Sequence, residues 1–374
     1  MALFSQKSNS YIGIDIGSAS IKLLEVEDKS GGAVLKNYGF AEKAVNYETT
    51  RTAEMIQKSA DLIKRIYKEA GFTAKNVVAA LHNFDVFSSV INLPEVKTRE
   101  LENIIRVEAR KFVPIPLEDV VLDWKIIEKH RKTDTKNSKK ETGKKNDRDT
   151  FLIDSRDIGI DVLLTAAPRN LVKKYVEIFH NAELNLLSLE TESFSFIRAL
   201  LDKNDASSVM FLDIGSVASD ILIVEGQVPV VIRSIDVGGN AITAAIGKTM
   251  NISDERAEQF KRDVGIMSAS SRATDDAPIA QVIETAFGPV INEITYSLDL
   301  YRSRGQSVER IVLSGGSANL SGLSEFLKSN FRLPVYIGDP WHKISYNPQL
   351  KSNLEQIGPM FTVAIGLALK EIVG

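Results

Sequence analysis

The sequence of 374 residues contains no cysteine, which excludes disulfides, thiolate metal sites and thiol chemistry. This absence is compatible with a reducing compartment, and we expect a cytoplasmic protein. Histidine is scarce, and the four residues His82, His130, His180 and His342 show no spacing typical of metal ligands. The formal net charge of −3 does not favour nucleic acid as a partner.

Long apolar runs and several common catalytic motifs are also absent. No segment approaches the ~18–20 apolar residues that a membrane span requires, and residues 1–10 lack the apolar core of a signal peptide. Any association with a membrane is therefore expected to occur only through partners. The sequence contains no Walker P-loop, no G-x-S-x-G elbow and no G-x-G-x-x-G after a strand.

One pattern occurs twice, in residues 11–27 and again in residues 209–225. Each copy is an apolar strand with an aspartate near its end, a turn of small residues and a returning apolar strand. Aligned without a gap, the copies share seven identical residue pairs: Asp15/Asp213, Ile16/Ile214, Gly17/Gly215, Ser18/Ser216, Leu24/Leu222, Val26/Val224 and Glu27/Glu225. The duplication predicts two related domains that face each other across a cleft.

The chemistry of these hairpins suits phosphate and magnesium. Gly17 and Gly215 allow a tight turn close to an anion. Asp15 and Asp213 can approach Mg²⁺, which keeps most of its water ligands. The turns offer N–H and hydroxyl donors from Ser18, Ala19 and Ser20 and from Ser216, Val217, Ala218 and Ser219.

The two copies differ at one position, where the first has Lys22 and the second has Asp220. A lysine on the returning strand could reach the β- or γ-phosphate of a nucleotide. The alternative is a pair of ordinary hairpins with a glycine in each turn, but the duplication favours a shared phosphate site.

A third motif begins with the apolar residues 310–313 and continues into Ser314-Gly315-Gly316, with a helix expected from about Leu323. Glycines at such a junction let the backbone lie flat against a planar base. A tight strand-to-helix turn without a ligand remains an equal alternative.

The order of strands and helices indicates an α/β protein with two lobes and an insertion in the first. We assign residues 9–84 and 184–207 to the first lobe, 85–183 to the insertion, and 208–374 to the second lobe with a smaller subdomain at about 240–303. The insertion is expected to contain a helix, two strands and a closing helix over 168–181. Residues 129–149 are nearly devoid of apolar side chains, and their interspersed acids favour a solvated loop over a polybasic membrane tether.

Patterns of apolar residues also predict the remaining elements. Helices are expected at 52–70, 98–112, 241–250, 254–263, 364–369 and 279–303, the last broken or bent near Gly288-Pro289. Strands are expected at 33–45, 76–81, 86–93, 120–127, 151–167, 228–235 and 334–337. Glu190, near the expected crossing between the lobes, could position a water for hydrolysis, or it could be a surface or hinge carboxylate.

The ordered set of the two hairpins, Gly238-Gly239, Ala257 to Lys261 and Ser314-Gly315-Gly316 resembles the actin-like ATPase superfamily. The resemblance implies two ribonuclease-H-like domains that bind ATP and Mg²⁺. It implies that Lys22 contacts phosphate and that Glu258 and Lys261 lie near the ribose. It places Gly315, Gly316 and Asn319 near the adenosine.

Residues 93–124, with Phe112-Val113-Pro114-Ile115-Pro116 at their centre, resemble more narrowly the PilM family of type IV pilus assembly proteins. That resemblance implies a nucleotide-binding scaffold, with at most slow hydrolysis, at the inner face of the cytoplasmic membrane. The implied partners are the N-terminal cytoplasmic tail of a PilN-type protein, other inner-membrane pilus proteins and motor ATPases. Two alternatives stay open: a self-associating, FtsA-like filament protein, and a sugar kinase, for which no aspartate base is evident.

Overall fold

The computed structural model describes residues 9–30, 32–43, 52–94, 98–130, 159–266 and 277–373. The chain forms two compact units, one built from Met1–Val86 with Asn170–Gly374 and the other from Phe87–Arg169. Within the described ranges, no helix has the length and apolar character needed to cross a membrane.

The described residues form the following elements. The strands are β1 (Ser10–Ile16), β2 (Ser20–Lys29), β3 (Gly32–Glu42), β4 (Asn76–Leu81), β5 (Phe87–Leu93), β6 (Val120–His130), β7 (Gly159–Pro168), β8 (Asn185–Thr191), β9 (Val209–Ile214), β10 (Ser219–Glu225), β11 (Val228–Ile235), β12 (Arg310–Ser314), β13 (Val335–Ile337) and β14 (Ile344–Ser345). The helices are α1 (Thr52–Glu69), α2 (Thr98–Phe112), α3 (Arg169–Asn181), α4 (Glu192–Leu200), α5 (Gly239–Met250), α6 (Asp254–Val264), α7 (Ala277–Arg302), α8 (Leu323–Phe331), α9 (Lys351–Ala368) and α10 (Lys370–Val373).

The larger unit contains two sheets with a common strand order. The first sheet runs β14-β3-β2-β1-β4-β8 and the second runs β11-β10-β9-β12-β13. In each sheet an antiparallel meander of three strands is extended by strands parallel to its first strand. The sequence duplication therefore corresponds to a duplicated sheet, and both hairpins form where they were predicted.

Helix α9 packs directly on the first sheet, and glycines allow this close approach. A Cβ at Gly13 of β1 would lie 1.9 Å from the Ala364 carbonyl oxygen, and one at Gly366 would lie 2.1 Å from that of Ser195 in α4. The sequence predicted only the segment 364–369, but the helix begins at Lys351. Its first turns show weak periodicity, and Leu354 and Phe361 anchor them in the core beside Trp341.

The smaller unit contains one antiparallel sheet of order β5-β7-β6 and helix α2. Its core includes Leu93, Ile105, Val120 and Leu164. The expected closing helix, α3, belongs to the larger unit instead, so the insertion is 87–169 rather than 85–183. The reason is that the buried face of α3 includes Ile178, which lines a cavity with Ile16 of β1.

Two further expectations differ from the structure. Helix α7 is continuous through Pro289 rather than broken there, because the buried residues Phe287 and Val290 hold the turns on both sides of it in the core. The charged loop starts later than Lys129, which pairs with Ile160 near the end of β6. The remainder of that loop at 131–149 and the part of the predicted strand from 151 to 158 lie outside the described residues.

Candidate functional site

The first hairpin carries an internal ion pair at its turn. Asp15 and Lys22 are direct cross-strand neighbours, and the Lys22 Nζ donates to Asp15 Oδ2 over 2.8 Å. Both side chains are buried. The Lys22 ammonium therefore compensates the charge of Asp15. It also lies next to the turn, 3.4 Å from a Cβ built at Gly17.

The second hairpin has no such compensation, because Asp220 takes the place of the lysine opposite Asp213. Burial, and then the neighbouring Asp220 carboxylate, raise the pKa of Asp213 well above its usual range. Burial, and then the charge of Glu192, raise the pKa of Asp220 to about 7. The Ser234 hydroxyl donates a hydrogen bond to Asp220. Ionisation of the carboxylates in the second hairpin is thus disfavoured unless a cation lies nearby.

The turns of the two hairpins also differ in their backbone bonding. In the second, the Gly215 N–H donates to the Ala218 carbonyl over 3.0 Å and closes the turn. In the first, the Gly17 N–H makes no equivalent bond within the described residues, while the Ala19 carbonyl accepts from the Lys43 N–H over 2.7 Å. The first turn is therefore not closed by the bond that closes the second.

A cavity of about 310 Å³ adjoins both turns. Ser18 of the first turn and Val217 and Ala218 of the second line it, together with His82 and Asp220. A ligand that extends into this cavity would contact both hairpins at once. The two copies of the pattern are thus brought together as the sequence predicted.

His82 and Glu192 follow the ends of β4 and β8 and were not identified from the sequence. The His82 Nδ1 donates to Glu192 Oε1 over 2.7 Å, and its Nε2 donates to the Ile16 carbonyl over 2.9 Å. The Asn83 N–H donates to Glu192 Oε2 over 3.0 Å. Burial alone would lower the pKa of His82, but the Glu192 carboxylate raises it to about 10. Polar residues directly after two neighbouring parallel strands were the available sequence signal.

The strand-to-helix turn after β12 packs against the end of β9. Gly315 has a φ of +86°, and a Cβ there would lie 2.5 Å from the Ile214 carbonyl oxygen and 2.7 Å from Asp213 Oδ1. A Cβ at Gly316 would meet nothing within 4 Å. Gly315 is therefore required by packing, whereas Gly316 presents an open backbone surface suited to a flat ligand.

Gly238 and Gly239 bring the start of α5 onto the second turn. The Gly239 and Asn240 N–H groups donate to the Gly215 and Ser216 carbonyls over 2.9 and 2.8 Å. A Cβ at Gly238 would lie 2.6 Å from the Gly215 oxygen. These two N–H groups are used within the protein, so the glycines support the turn rather than offer donors to an anion at the helix N-terminus.

Lys261 and Glu258 of α6 are bound to each other and to α5. The buried Lys261 Nζ donates to Glu258 Oε2, Thr243 Oγ1 and the Gly239 carbonyl over 2.6, 2.9 and 3.1 Å. Burial opposes the charge of Glu258, but hydrogen bonds from Lys261 and Thr243 outweigh it and lower the pKa of Glu258. Glu258 remains about a third exposed and can face a ligand, whereas the ammonium of Lys261 is committed to the protein.

The Asn319 side chain contacts α9. Its Nδ2 donates to the Gln356 carbonyl over 3.0 Å, so the amide group predicted to lie near an adenosine already has a partner in the protein.

Comparison with known proteins identifies the family. The protein-family model described as "Type IV pilus assembly protein PilM" matches residues 13–141 and 153–372 of this chain. The chain belongs to the PilM family.

Solved structures confirm the two-lobed actin-like ATPase fold. The chain is similar to a PilM–PilN type IV pilus biogenesis complex, with a TM-score of 0.78 and 24% identity over 97% of this chain and 99% of that one. It is also similar to MreB5 of Spiroplasma citri bound to AMPPNP, with a TM-score of 0.52 and 14% identity over 96% and 95% of the chains. Cell division protein FtsA of Bacillus subtilis (strain 168) is 22% identical over 378 residues, 88% of this chain and 79% of that protein.

In this PilM family member, the Glu190 carboxylate is bound by other protein residues. The Arg198 guanidinium binds both of its oxygens over 2.6 and 3.1 Å, and the Ser195 hydroxyl and the Lys370 ammonium lie 3.2 and 3.3 Å away. The sequence singled out this residue for a water-positioning role. The structure instead ties it to α4 and α10, and the carboxylate beside the hairpins is Glu192.

The residues present fit a magnesium ion held indirectly. The charges of Asp15, Glu192 and Asp220 all act on Asp213, so a cation there would relieve strong repulsion. Within the described ranges, no three His, Asp or Glu residues are grouped closely enough to bind a metal directly. Mg²⁺ commonly binds through one or two carboxylates, water and ligand phosphates.

Proposed function

We propose that this PilM family member binds ATP with Mg²⁺ between its two hairpins, and that the nucleotide controls binding of a PilN-type N-terminal tail. The observation that carries the proposal is the pairing of unlike hairpins at one cavity. Ser18, Val217 and Ala218 of the two turns line that cavity. One hairpin would offer Lys22 to an anion beside it, and the other would offer Asp213 to a cation.

The arrangement assigns parts of the nucleotide to different residues. The phosphates would lie at the turns Gly17–Ser20 and Gly215–Ala218, with Lys22 reaching them. Asp15 and Asp213 would hold Mg²⁺ through its water ligands, and the ion would neutralise charge on both the phosphates and the carboxylates. The base would lie against Gly316, whose surface is open, and the ribose near Glu258.

Partner binding is supported by family membership and by similarity of the fold to a PilM–PilN complex. A PilN-type tail peptide would link the protein to the inner face of the cytoplasmic membrane, where other pilus assembly proteins and motor ATPases would assemble with it. A nucleotide that contacts both hairpins favours one relative orientation of the two sheets, and it can therefore shift partner affinity without hydrolysis.

The test is titration of a PilN-type N-terminal tail peptide into the full chain with MgATP, with MgADP and without nucleotide. We expect saturable binding whose affinity changes with the nucleotide. In the Asp213→Asn variant the peptide should still bind, but the dependence on nucleotide should be lost. Absence of peptide binding in all three states would overturn the partner assignment, and light scattering that rises with MgATP would indicate filament formation instead.

A further inference from the structure

We propose that His82 is a positioning residue for the first phosphate-binding turn and acts through the carbonyl of Ile16. This inference rests on the proposed nucleotide site and names a residue that controls its geometry. Ile16 is the last residue of β1, and its carbonyl belongs to the peptide group that leads into Gly17. The Nε2 of His82 lies 2.9 Å from that oxygen.

The planarity of the peptide bond gives this contact its consequence. In a trans peptide the carbonyl oxygen and the following N–H point in opposite directions. Because the Ile16 oxygen is bound on the side of His82, the Gly17 N–H points to the opposite side, towards β2, where the Ser20 carbonyl oxygen lies 3.2 Å from a Cβ built at Gly17. The imidazole thus fixes the plane of the peptide group with which the first turn begins.

The first turn is held at its other end by a similar contact. The Ala19 carbonyl accepts from the Lys43 N–H over 2.7 Å. His82 and Lys43 line the same cavity as Ser18, so two carbonyls of the turn are bound by neighbouring residues. In the second hairpin, by contrast, the Gly215 N–H is used to close the turn. The first turn is therefore positioned by residues outside its hairpin, whereas the second is closed by a bond of its own.

Glu192 sets the state of the His82 ring. Both ring nitrogens face acceptors, the Glu192 carboxylate at 2.7 Å and the Ile16 carbonyl at 2.9 Å. Both nitrogens must therefore donate, which requires a charged imidazolium beside an ionised carboxylate. Other charged groups that face this ring are Asp15 and Asp85, and both favour the imidazolium. A positive charge next to the turn would also favour a bound phosphate.

A purely structural role would make a different prediction. If His82 only buttressed Glu192 and the end of β4, its loss would weaken the binding of all ligands together. A positioning role through Gly17 affects contacts to phosphate and leaves contacts to the nucleoside unchanged. The comparison of ATP with adenosine therefore separates the two roles.

The experiment measures ATP and adenosine affinity in full-length His82→Ala, in His82→Gln, which keeps an N–H donor, and in the control His342→Ala. The exposed His342 ring bonds the Asp339 carbonyl and does not adjoin the turns. We expect His82→Ala to weaken ATP binding about tenfold, as the loss of one charged hydrogen bond predicts, with adenosine binding unchanged. His82→Gln should recover most of the loss, and His342→Ala should change neither affinity. Equal weakening of both ligands, or no change in either, would overturn the inference.

A second readout does not depend on nucleotide binding. The backbone amide resonance of Gly17 in the ligand-free protein should shift in His82→Ala and not in His342→Ala. An unchanged Gly17 resonance in His82→Ala would overturn the positioning role even if ATP binds. If the wild-type protein binds no ATP but the Gly17 amide resonance shifts in His82→Ala, the proposed function fails and the positioning of the turn is supported.

Discussion

Asp220 lies directly opposite Asp213 across the second hairpin, where the first hairpin sets Lys22 against Asp15. The duplicated sheets therefore present unlike charges at equivalent positions. Without a ligand, the second hairpin holds two half-buried carboxylates close together and favours their protonation. This asymmetry suits a ligand with anionic groups at one end and a cation beside them.

The raised pKa of Asp220 predicts that stability depends on pH. An acid whose pKa rises on folding contributes stability below its unfolded pKa near 3.8, and that contribution is lost as the pH rises through about 7. The ligand-free protein should therefore be less stable at pH 8 than at pH 5. Asp220→Asn should raise the free energy of unfolding at pH 8 by roughly 1–2 kcal/mol, measured by chemical denaturation.

The control for this change is Asp263→Asn, because Asp263 is exposed on α6 and contacts Gln259. It should leave the dependence on pH unaltered. A slope between pH 5 and pH 8 that is the same in Asp220→Asn as in the wild type would contradict the role of Asp220. Part of the pH dependence should remain in Asp220→Asn, because the pKa of Asp213 is also raised.

Substitution by alanine should have different effects on stability at the adjacent residues Gly315 and Gly316. Gly315→Ala should destabilise the protein by about 1–3 kcal/mol, because a Cβ there meets the Ile214 oxygen at a positive φ. Gly316→Ala should change stability by less than ~0.5 kcal/mol, because the added methyl meets no atom. It should nevertheless weaken ATP binding, since the base would lie there. Thermal unfolding and calorimetry distinguish the two effects, and equal stability of both variants would disprove the packing argument.

Glu190 and Glu192 are neighbouring carboxylates on the first lobe, and we expect Glu190 to affect stability but not ligand binding. Glu190→Gln should lower the free energy of unfolding by about 1–3 kcal/mol, because it weakens the buried contacts with Arg198 and Lys370. Its ATP affinity should stay unchanged. Glu192→Gln should lower the pKa of His82, which an NMR titration can follow. Loss of ATP binding in Glu190→Gln with normal stability would restore Glu190 as a site residue.

Asp213 should matter for ATP only when magnesium is present. Asp213→Asn should weaken MgATP binding by about tenfold or more and leave binding of ATP with chelator little changed. Asp299→Asn, an exposed aspartate on α7, serves as the control. An equal loss of affinity with and without Mg²⁺ would assign Asp213 to the phosphate turn rather than to the ion.

Much of the fold could be predicted because its signals are local. The hairpins, β4, α2 and β11 follow directly from apolar periodicity and turn residues. The start of α9 could not, because its burial depends on Trp341 and on the first sheet. The assignment of α3 likewise depends on which unit covers Ile178, a long-range property.

The sequence predicted the backbone turns of the site better than the contacts of its side chains. Glycines at 17, 215 and 315 mark turns whatever surrounds them. The choice between Glu190 and Glu192 depends on partners, since Arg198 and Lys370 bind one and His82 binds the other. The pairings with His82 and Lys370 join residues distant in sequence, so no spacing reveals them.

The central claim is that one nucleotide site is built from both hairpins, and calorimetry of MgATP binding to variants of each hairpin tests it most directly. Lys22→Gln and Asp213→Asn should each weaken binding, and the double variant should lose less than the sum, because both residues serve the same bound phosphates. One saturable site per wild-type chain with this coupling is the predicted result. Absence of MgATP binding to the wild type, or an affinity insensitive to both substitutions, would contradict the account.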